Sequence, residues 1–285
     1  MFSQRICVLG GSGTLGKSIV SSISQKASQV SYTARSERLS IPNVAYINLD
    51  LTNPVLEVEF FDLETDVLVF AAGLSASDLA GDKGKVFMAN EKAILTRALE
   101  LGKKVVCFSS SRVAQFLESG GSCFDSQMMA YIDHKLEIEN ICGVFESATV
   151  FRPGKVISKN FPQYRLWSEN LSRGEVISVS SGIICNPVHI QDITVAATRS
   201  IFENHPGIYE LWCENQFSYL EIAKLFFDEI ETAMKFEDLV YDTNVSLPGV
   251  KRKANIWKGE SWMKLAWESC TDIFQSTLKE YLNSP

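Results

Sequence analysis

The stretch Ile6-Cys7-Val8-Leu9-Gly10-Gly11-Ser12-Gly13-Thr14-Leu15-Gly16-Lys17-Ser18-Ile19-Val20 decides how this chain is read. Four apolar residues in a row predict a buried strand, the glycines a tight turn, and the residues beyond them a helix running to about Ser24. The glycines at 10, 13 and 16 have G-x-x-G-x-x-G spacing. In that arrangement Gly10 admits a turn too tight for a side chain, Gly13 a close approach of backbone N–H groups to a pyrophosphate, and Gly16 a close helix–strand contact. The helix N-terminus adds unpaired donors and the positive end of its dipole. Glycine turns join strands to helices in many proteins. This one follows the first strand directly, which makes Gly10, Gly11, Ser12, Gly13, Thr14, Leu15 and Gly16 a candidate dinucleotide site.

Working outward, Val30-Ser31-Tyr32-Thr33 predicts a second strand that ends at Ala34-Arg35-Ser36. An acidic residue at this point selects the ribose 2′-OH of NAD, and an arginine suits the 2′-phosphate of NADP. Arg35, with Ser36 and Arg38 beside it, therefore points to NADP, the plain alternative being a solvated surface arginine. Val44-Ala45-Tyr46-Ile47 predicts a third strand, followed by Asp50-Leu51. Asp50 could bond the adenine amino group or cap the next segment. The run Asp66 to Phe70 is the clearest strand, closed by Ala71-Ala72-Gly73, small residues over which a cofactor can pass. Helical periodicity from about Val86 to Leu101 contains Asn90, and Gly102 stops it. Lys104 to Phe108 predicts another buried strand, ending in Ser109-Ser110-Ser111.

Strands alternating with helices, and no hairpin signal, predict an α/β protein with a Rossmann-type doubly wound parallel sheet. Sites in such sheets lie at the carboxyl ends of the strands, where the serine triplet falls. The expected division is a nucleotide-binding domain over 1–155, with 186–203 returning to it. A smaller, mostly C-terminal α/β substrate lobe takes 156–185 and 204–285. At 285 residues with 46% hydrophobic and 21% charged residues, the composition is that of a soluble globular protein. A net charge of −7 argues against a general nucleic-acid binder. No apolar stretch approaches the ~20 residues of a membrane span, and no signal peptide is read at the N-terminus. Seven scattered cysteines without C-x-x-C pairing read as free thiols in a reducing cytoplasm, and three separated histidines offer no metal site.

The next predicted helix carries Tyr131-Ile132-Asp133-His134-Lys135. A spacing of four puts Tyr131 and Lys135 on one helical face, where the ammonium favours the phenolate and suits the tyrosine to acid–base work. A Y-x-x-x-K arises readily by chance. Its weight comes from its place, after a serine-bearing strand end and behind a glycine turn.

Taken in order, the glycine turn, Asp50-Leu51, Ala71-Ala72-Gly73, Asn90, Ser109-Ser110 and Tyr131-x-x-x-Lys135 resemble the short-chain dehydrogenase/reductase superfamily. Phe151-Arg152-Pro153-Gly154, Val188-His189-Ile190-Gln191-Asp192 and Leu265-Ala266-Trp267 resemble the "RPG", "VHVxD" and "LGW" motifs of its extended branch, the NAD(P)-dependent epimerase/dehydratase group. The resemblance implies Tyr131 as general acid/base and Lys135 as the holder of the nicotinamide ribose. It also implies a catalytic serine, Ser110 by one count and Ser111 by another, with Ser110 preferred. A homodimer through the helices bearing Asn90 and Tyr131 is a further implication.

Two departures bear on function. Val113-Ala114-Gln115 stands where the group has "VYG", and Ser111-Arg112 where sugar 4,6-dehydratases carry an Asp-Glu pair, so elimination chemistry is not expected. In the second lobe, Tyr164, Arg165, Trp167 and Arg173 could stack a base and pair phosphates, or form an amphipathic helix on the core. Lys251-Arg252-Lys253 could meet a diphosphate or be solvated. His189 reads as structural, and Ser218-Tyr219-Leu220-Glu221 as a capping box. The leading expectation is an NADP-dependent oxidoreductase that reduces a keto group of a nucleotide-activated sugar. The alternatives are a nucleotide-sugar epimerase and a non-catalytic NADP(H)-sensing regulator.

Overall fold

The computed structural model describes residues 2–35, 39–53, 65–120, 124–213, 216–230, 240–242, 246–247 and 270–284. Ser36, Arg38, the basic cluster at 251–253 and the Leu265-Ala266-Trp267 motif lie outside the described residues.

The apolar run before the glycine turn is the end of β1 (Phe2–Leu9), with Val8 and Leu9 wholly buried. It pairs in parallel on both sides, Ile6 standing opposite Val30 of β2 (Ala27–Ala34) and Val67 of β4 (Val67–Phe70). Where a strand is flanked on both edges and covered on both faces its residues must be apolar, and this explains the unbroken run from Ile6 to Leu9. The half-buried β3 (Val44–Asn48) pairs with β2 and forms the edge of the sheet. On the other side follow β5 (Lys104–Phe108), β6 (Ala148–Pro153) and β11 (Gly207–Leu211). Among the described residues the sheet has seven strands in the order β3-β2-β1-β4-β5-β6-β11. The order reverses between β1 and β4. This opens a crevice at the carboxyl ends of those strands, the doubly wound arrangement expected from the sequence.

Helices cover the sheet. On α1 (Thr14–Ile23), Ser18 and Ser22 hydrogen-bond Thr194 and Thr198 of α7 (Ile190–Phe202) at 2.8 and 3.0 Å. The helices α3 (Asp82–Glu100) and α5 (Ser126–Cys142) pack a second core, in which Phe87, Ile94, Leu95 and Ile138 meet Leu68, Phe70 and Val105. Each such side chain contributes about 1.5–3 kcal/mol by leaving water. The helix expected from Val86 begins earlier, at Asp82. Gly81 is its N-cap, and Asp82 places a negative charge in the first turn.

Chain contacts separate two units, Met1–Arg152 with Thr194–Tyr209, and Pro153–Ile193 with Glu210–Pro285. The return expected at 186–203 therefore starts later, at Thr194. The reason is that β10 (Pro187–His189) pairs in parallel with β7 (Lys155–Ile157) inside the second unit. That unit has its own aromatic core, built from α6 (Pro162–Ser172), α8 (Tyr219–Glu229) and α9 (Cys270–Leu282). Tyr164 and Trp167 are 1% and 2% exposed there, stacking or meeting edge-on with Phe226. The base-stacking reading of these aromatics gives way to the packing one, since a ring with no exposed face cannot receive a base. Arg165 and Arg173 pair with Glu169 and Glu175. Ser218 and Glu221 form the expected capping box at the start of α8.

Candidate active site

At the crevice, the chain turns from β1 into α1 with Gly10 at φ +76°, a left-handed conformation that a side chain would strain. A Cβ there would also meet the backbone of Ala72 at 2.5 Å, and one on Gly16 would strike the Gly10 carbonyl. The turn is held from below by Thr33, whose Oγ1 accepts from Gly10 N at 3.0 Å and whose carbonyl accepts from Gly11 N at 2.9 Å. Gly11 lies against the Tyr32 ring. The α1 N-terminus is capped by no side chain. Its donors thus face a cleft of about 340 Å³ lined by Gly10, Ser12, Gly13 and Thr14.

The same cleft brings in Arg35, Asp50, Leu51, Ala71, Ala72 and Gly73, all anticipated from the sequence, and adds Thr33 and Phe87, which were not. Asp50 Oδ1 accepts from Thr52 N at 2.9 Å and from its hydroxyl at 2.8 Å, so this carboxylate caps its own turn. Burial pushes the Asp50 carboxyl up, but the two Thr52 bonds, then Arg35 and Lys83, outweigh it and hold the group below its ordinary value. Asn90 does not line the cleft. Its amide donates to the carbonyls of Leu51 and Asn53 at 2.9 and 2.8 Å, which fixes the loop that does. Leu15 and Gly16 lie in the first turn of α1, behind the lining residues.

The serine triplet is divided by its surroundings. Ser109 is buried, its Oγ donating at 2.5 Å to Glu139 of α5, and Arg152 at the end of β6 forks the same carboxylate at 2.9 and 2.5 Å. The arginine of the "RPG" motif thus ties β5, β6 and α5 together. Ser110 is the N-cap of α4 (Ser111–Ser119), its oxygen accepting from Arg112 N at 3.2 Å, and Ser111 is the first residue of that helix. Accepting a bond at its oxygen leaves the Ser110 proton available for donation. Arg112 bonds Gln115 at 2.6 Å, and Val113, Ala114 and Gln115 are buried.

Tyr131 and Lys135 lie one turn apart on α5, whose start is capped by Asp125 accepting from Met128 N at 2.8 Å. Tyr131 is partly buried, and Lys135 is 6% exposed. Burial pushes the Lys135 ammonium down, but Glu91, Tyr131, Cys107 and Glu139, in that order, overcome it and raise the group above its ordinary value. His134 bonds Glu91 at 2.6 Å, both side chains being buried. Glu91, His134 and Glu139 were missed by sequence reasoning. One signal was available: Glu139 stands one turn beyond Lys135.

A glycine-turned crevice at the switch point of a doubly wound sheet defines a Rossmann-type nucleotide-binding α/β protein. Residues 6–173, more than half of the chain, match the model of the NAD dependent epimerase/dehydratase family. The chain is an enzyme of that family, in the extended branch of the short-chain dehydrogenases/reductases. A sequence search of curated proteins finds no match. Among solved structures, the fold is similar to that of a UDP-N-acetylglucosamine 4-epimerase from Methanobrevibacter ruminantium M1 in complex with UDP-N-acetylmuramic acid. Identity is 17%, coverage 99% of each chain and the TM-score 0.76. It is also similar to Bordetella bronchiseptica WbmG in complex with NAD, at 16% identity over 98% of this chain and 94% of that one, TM-score 0.78. A third is dTDP-4-dehydrorhamnose reductase from Bacillus anthracis in complex with NADP, at 15% identity over 98% and 99%, TM-score 0.71.

No helix among the described residues is long and apolar enough to cross a membrane.

Proposed function

We propose that this enzyme is an NADP-dependent oxidoreductase that reduces a keto group on a nucleotide-activated sugar. The observation that carries the reading is the pairing of Tyr131 with the buried ammonium of Lys135 on one face of α5, in the unit that also holds the cleft. A pyrophosphate fits the cleft physically, since the uncapped N-terminus of α1 presents donors where no side chain intrudes. Arg35, at the end of β2 and lining the cleft, suits a 2′-phosphate and supports NADP over NAD. When bound, the dinucleotide supplies the hydride.

The chain's own residues supply the rest. Tyr131 gives a proton to the carbonyl oxygen, and Ser110, its own oxygen occupied by the Arg112 bond, donates to that same atom and polarises it. Lys135 holds the ribose hydroxyls and lends positive charge to the tyrosine. Ser109 takes no direct part, its hydroxyl being committed to Glu139. The nucleotide-sugar class is supported by structures of the same fold, one with UDP-N-acetylmuramic acid bound and one a dTDP-4-dehydrorhamnose reductase. Arg112, bonded to Gln115 where dehydratases carry a carboxylate, speaks against elimination.

The test is NADPH oxidation, followed by absorbance, with a panel of nucleotide 4-keto sugars. Turnover is expected with NADPH over NADH, and Tyr131→Phe lowers it by about 10²–10⁴-fold while NADPH still binds. Full turnover by Tyr131→Phe would overturn the mechanism. Cofactor retained through purification, with no net oxidation by any keto sugar, would mark an epimerase instead.

A further inference from the structure

A hydrogen-bonded bridge joins the helix that carries Tyr131 to the strand end that carries Ser110. On α5, Tyr131, Lys135 and Glu139 recur at intervals of four, so Glu139 stands two turns beyond the tyrosine on the same face. Across from it, β5 ends at Phe108, and Ser109 and Ser110 lead directly into α4. The Ser109 hydroxyl donates to Glu139 Oε1 at 2.5 Å, a buried bond to a charged acceptor and so one of the stronger kind. From Tyr131 to Ser110 the connection is thus two turns of helix, one hydrogen bond and one peptide unit.

The carboxylate at the centre is itself aimed. From the end of β6, Arg152 Nε and Nη2 donate to its two oxygens at 2.9 and 2.5 Å. This planar fork fixes the orientation of the carboxylate and balances its buried charge. The backbone holds the strand end a second time, Ser109 N donating to the Phe151 carbonyl at 2.7 Å. Buried, and engaged on both oxygens, Glu139 is placed to hold rather than to react.

We propose that the Ser109–Glu139–Arg152 bridge is a positioning device that sets the separation between the Ser110 and Tyr131 hydroxyls, so that both reach one carbonyl oxygen. The proposal rests on the reading of those two hydroxyls as donors to the substrate. Each donor must come within about 2.6–3.2 Å of the shared atom, and a misplacement of about 1 Å costs up to about 100-fold in rate. Apolar packing, as of Ile138 in one core with Val105, brings α5 against the sheet but is non-directional. The bond from Ser109 is directional, and it fixes where along the strand the helix stands.

The experiment compares the full chain with Ser109→Ala, which removes the bond and leaves the Arg152 pair, and with Ser109→Thr, which keeps a hydroxyl. With NADPH and a panel of nucleotide 4-keto sugars, Ser109→Ala is expected to lower kcat about tenfold. The KM for the sugar, and NADPH affinity by nicotinamide fluorescence, are expected to stay within about twofold, because only the transition state feels the spacing. Ser109→Thr is expected to recover most of kcat. Crystal structures of parent and Ser109→Ala read the spacing directly, and the Tyr131 Oη to Ser110 Oγ separation is expected to differ by about 0.5 Å or more. If Ser109→Ala does not fold, Arg152→Lys takes its place, keeping the charge and undoing the fork.

A lower melting temperature with kcat and the separation both unchanged would make the bridge merely structural and overturn the proposal. An unchanged separation overturns it whatever the kinetics. If Tyr131→Phe and Ser110→Ala both turn over like the parent, the reading of the two donors fails instead. Where the parent reduces no sugar of the panel, the separation alone decides.

Discussion

Glu139 accepts from Arg152 through two nitrogens and from the Ser109 hydroxyl, with only 4% of its side chain and 11% of the arginine's exposed. Removing one charge from such a pair strands the other. Glu139→Gln is accordingly expected to cost about 3–5 kcal/mol, and Ser109→Ala about 1–2, because the latter deletes one bond and leaves the ion pair intact. Urea denaturation of the two variants reads the difference, and equal losses would show that the ion pair is not what holds this corner. The three consecutive serines look alike in sequence. Their roles diverge because Ser109 is the one with Glu139 in reach, a residue 30 positions away.

At the scale of elements, the turn from β1 into α1 is built with no space to spare. Gly16 sits in the first turn of α1 directly against the Gly10 carbonyl. Gly16→Ala would push α1 away from the turn, at an expected cost of about 1–3 kcal/mol and with weakened binding of the reduced nicotinamide dinucleotide, since the helix donors would no longer sit over the cleft. Nicotinamide fluorescence together with thermal melting checks both effects. Unchanged affinity in a folded variant would show that the turn has slack. This packing was legible in advance, because glycine spacing reports a local backbone constraint. The start of α3 at Asp82 was less so: Gly81 and Asp82 carry no apolar periodicity, and the cap is visible only once the backbone is placed.

For the whole molecule, pH sets a limit on the acid side. Burial lowers the His189 imidazole to about 4, and its Nδ1 accepts from Gln191 N at 3.2 Å, which fixes the neutral tautomer. The unfolded chain takes up this proton near pH 6.5, whereas the folded chain refuses it down to about pH 4. Stability from His189 is therefore full above about pH 6.5 and is lost as pH falls toward 4. The loss comes to about 2–3 kcal/mol by pH 4.5. His189→Gln is expected to flatten that part of the urea-midpoint profile between pH 7 and pH 4.5, and an unaltered slope would remove His189 from the account.

The sequence by itself determined the alternation of strands and helices, the glycine turn, the order of Ser110, Tyr131 and Lys135, and the capping box at Ser218. Each of these rests on constraints felt within a few residues: a helical or strand period, a backbone conformation, a cap. Only the tertiary structure decided what depends on which elements meet. The pairing of β10 with β7 moved the return of the chain to Thr194. The closure of α6 on α8 and α9 turned Tyr164 and Trp167 from candidate stacking rings into core. The packing of α3 on α5 joined Glu91 to His134, 43 positions apart. A residue's own burial leaves a trace in the local pattern. The identity of its charged partner does not, because burial creates the need for a counter-charge and only the packing of distant segments says where it is met.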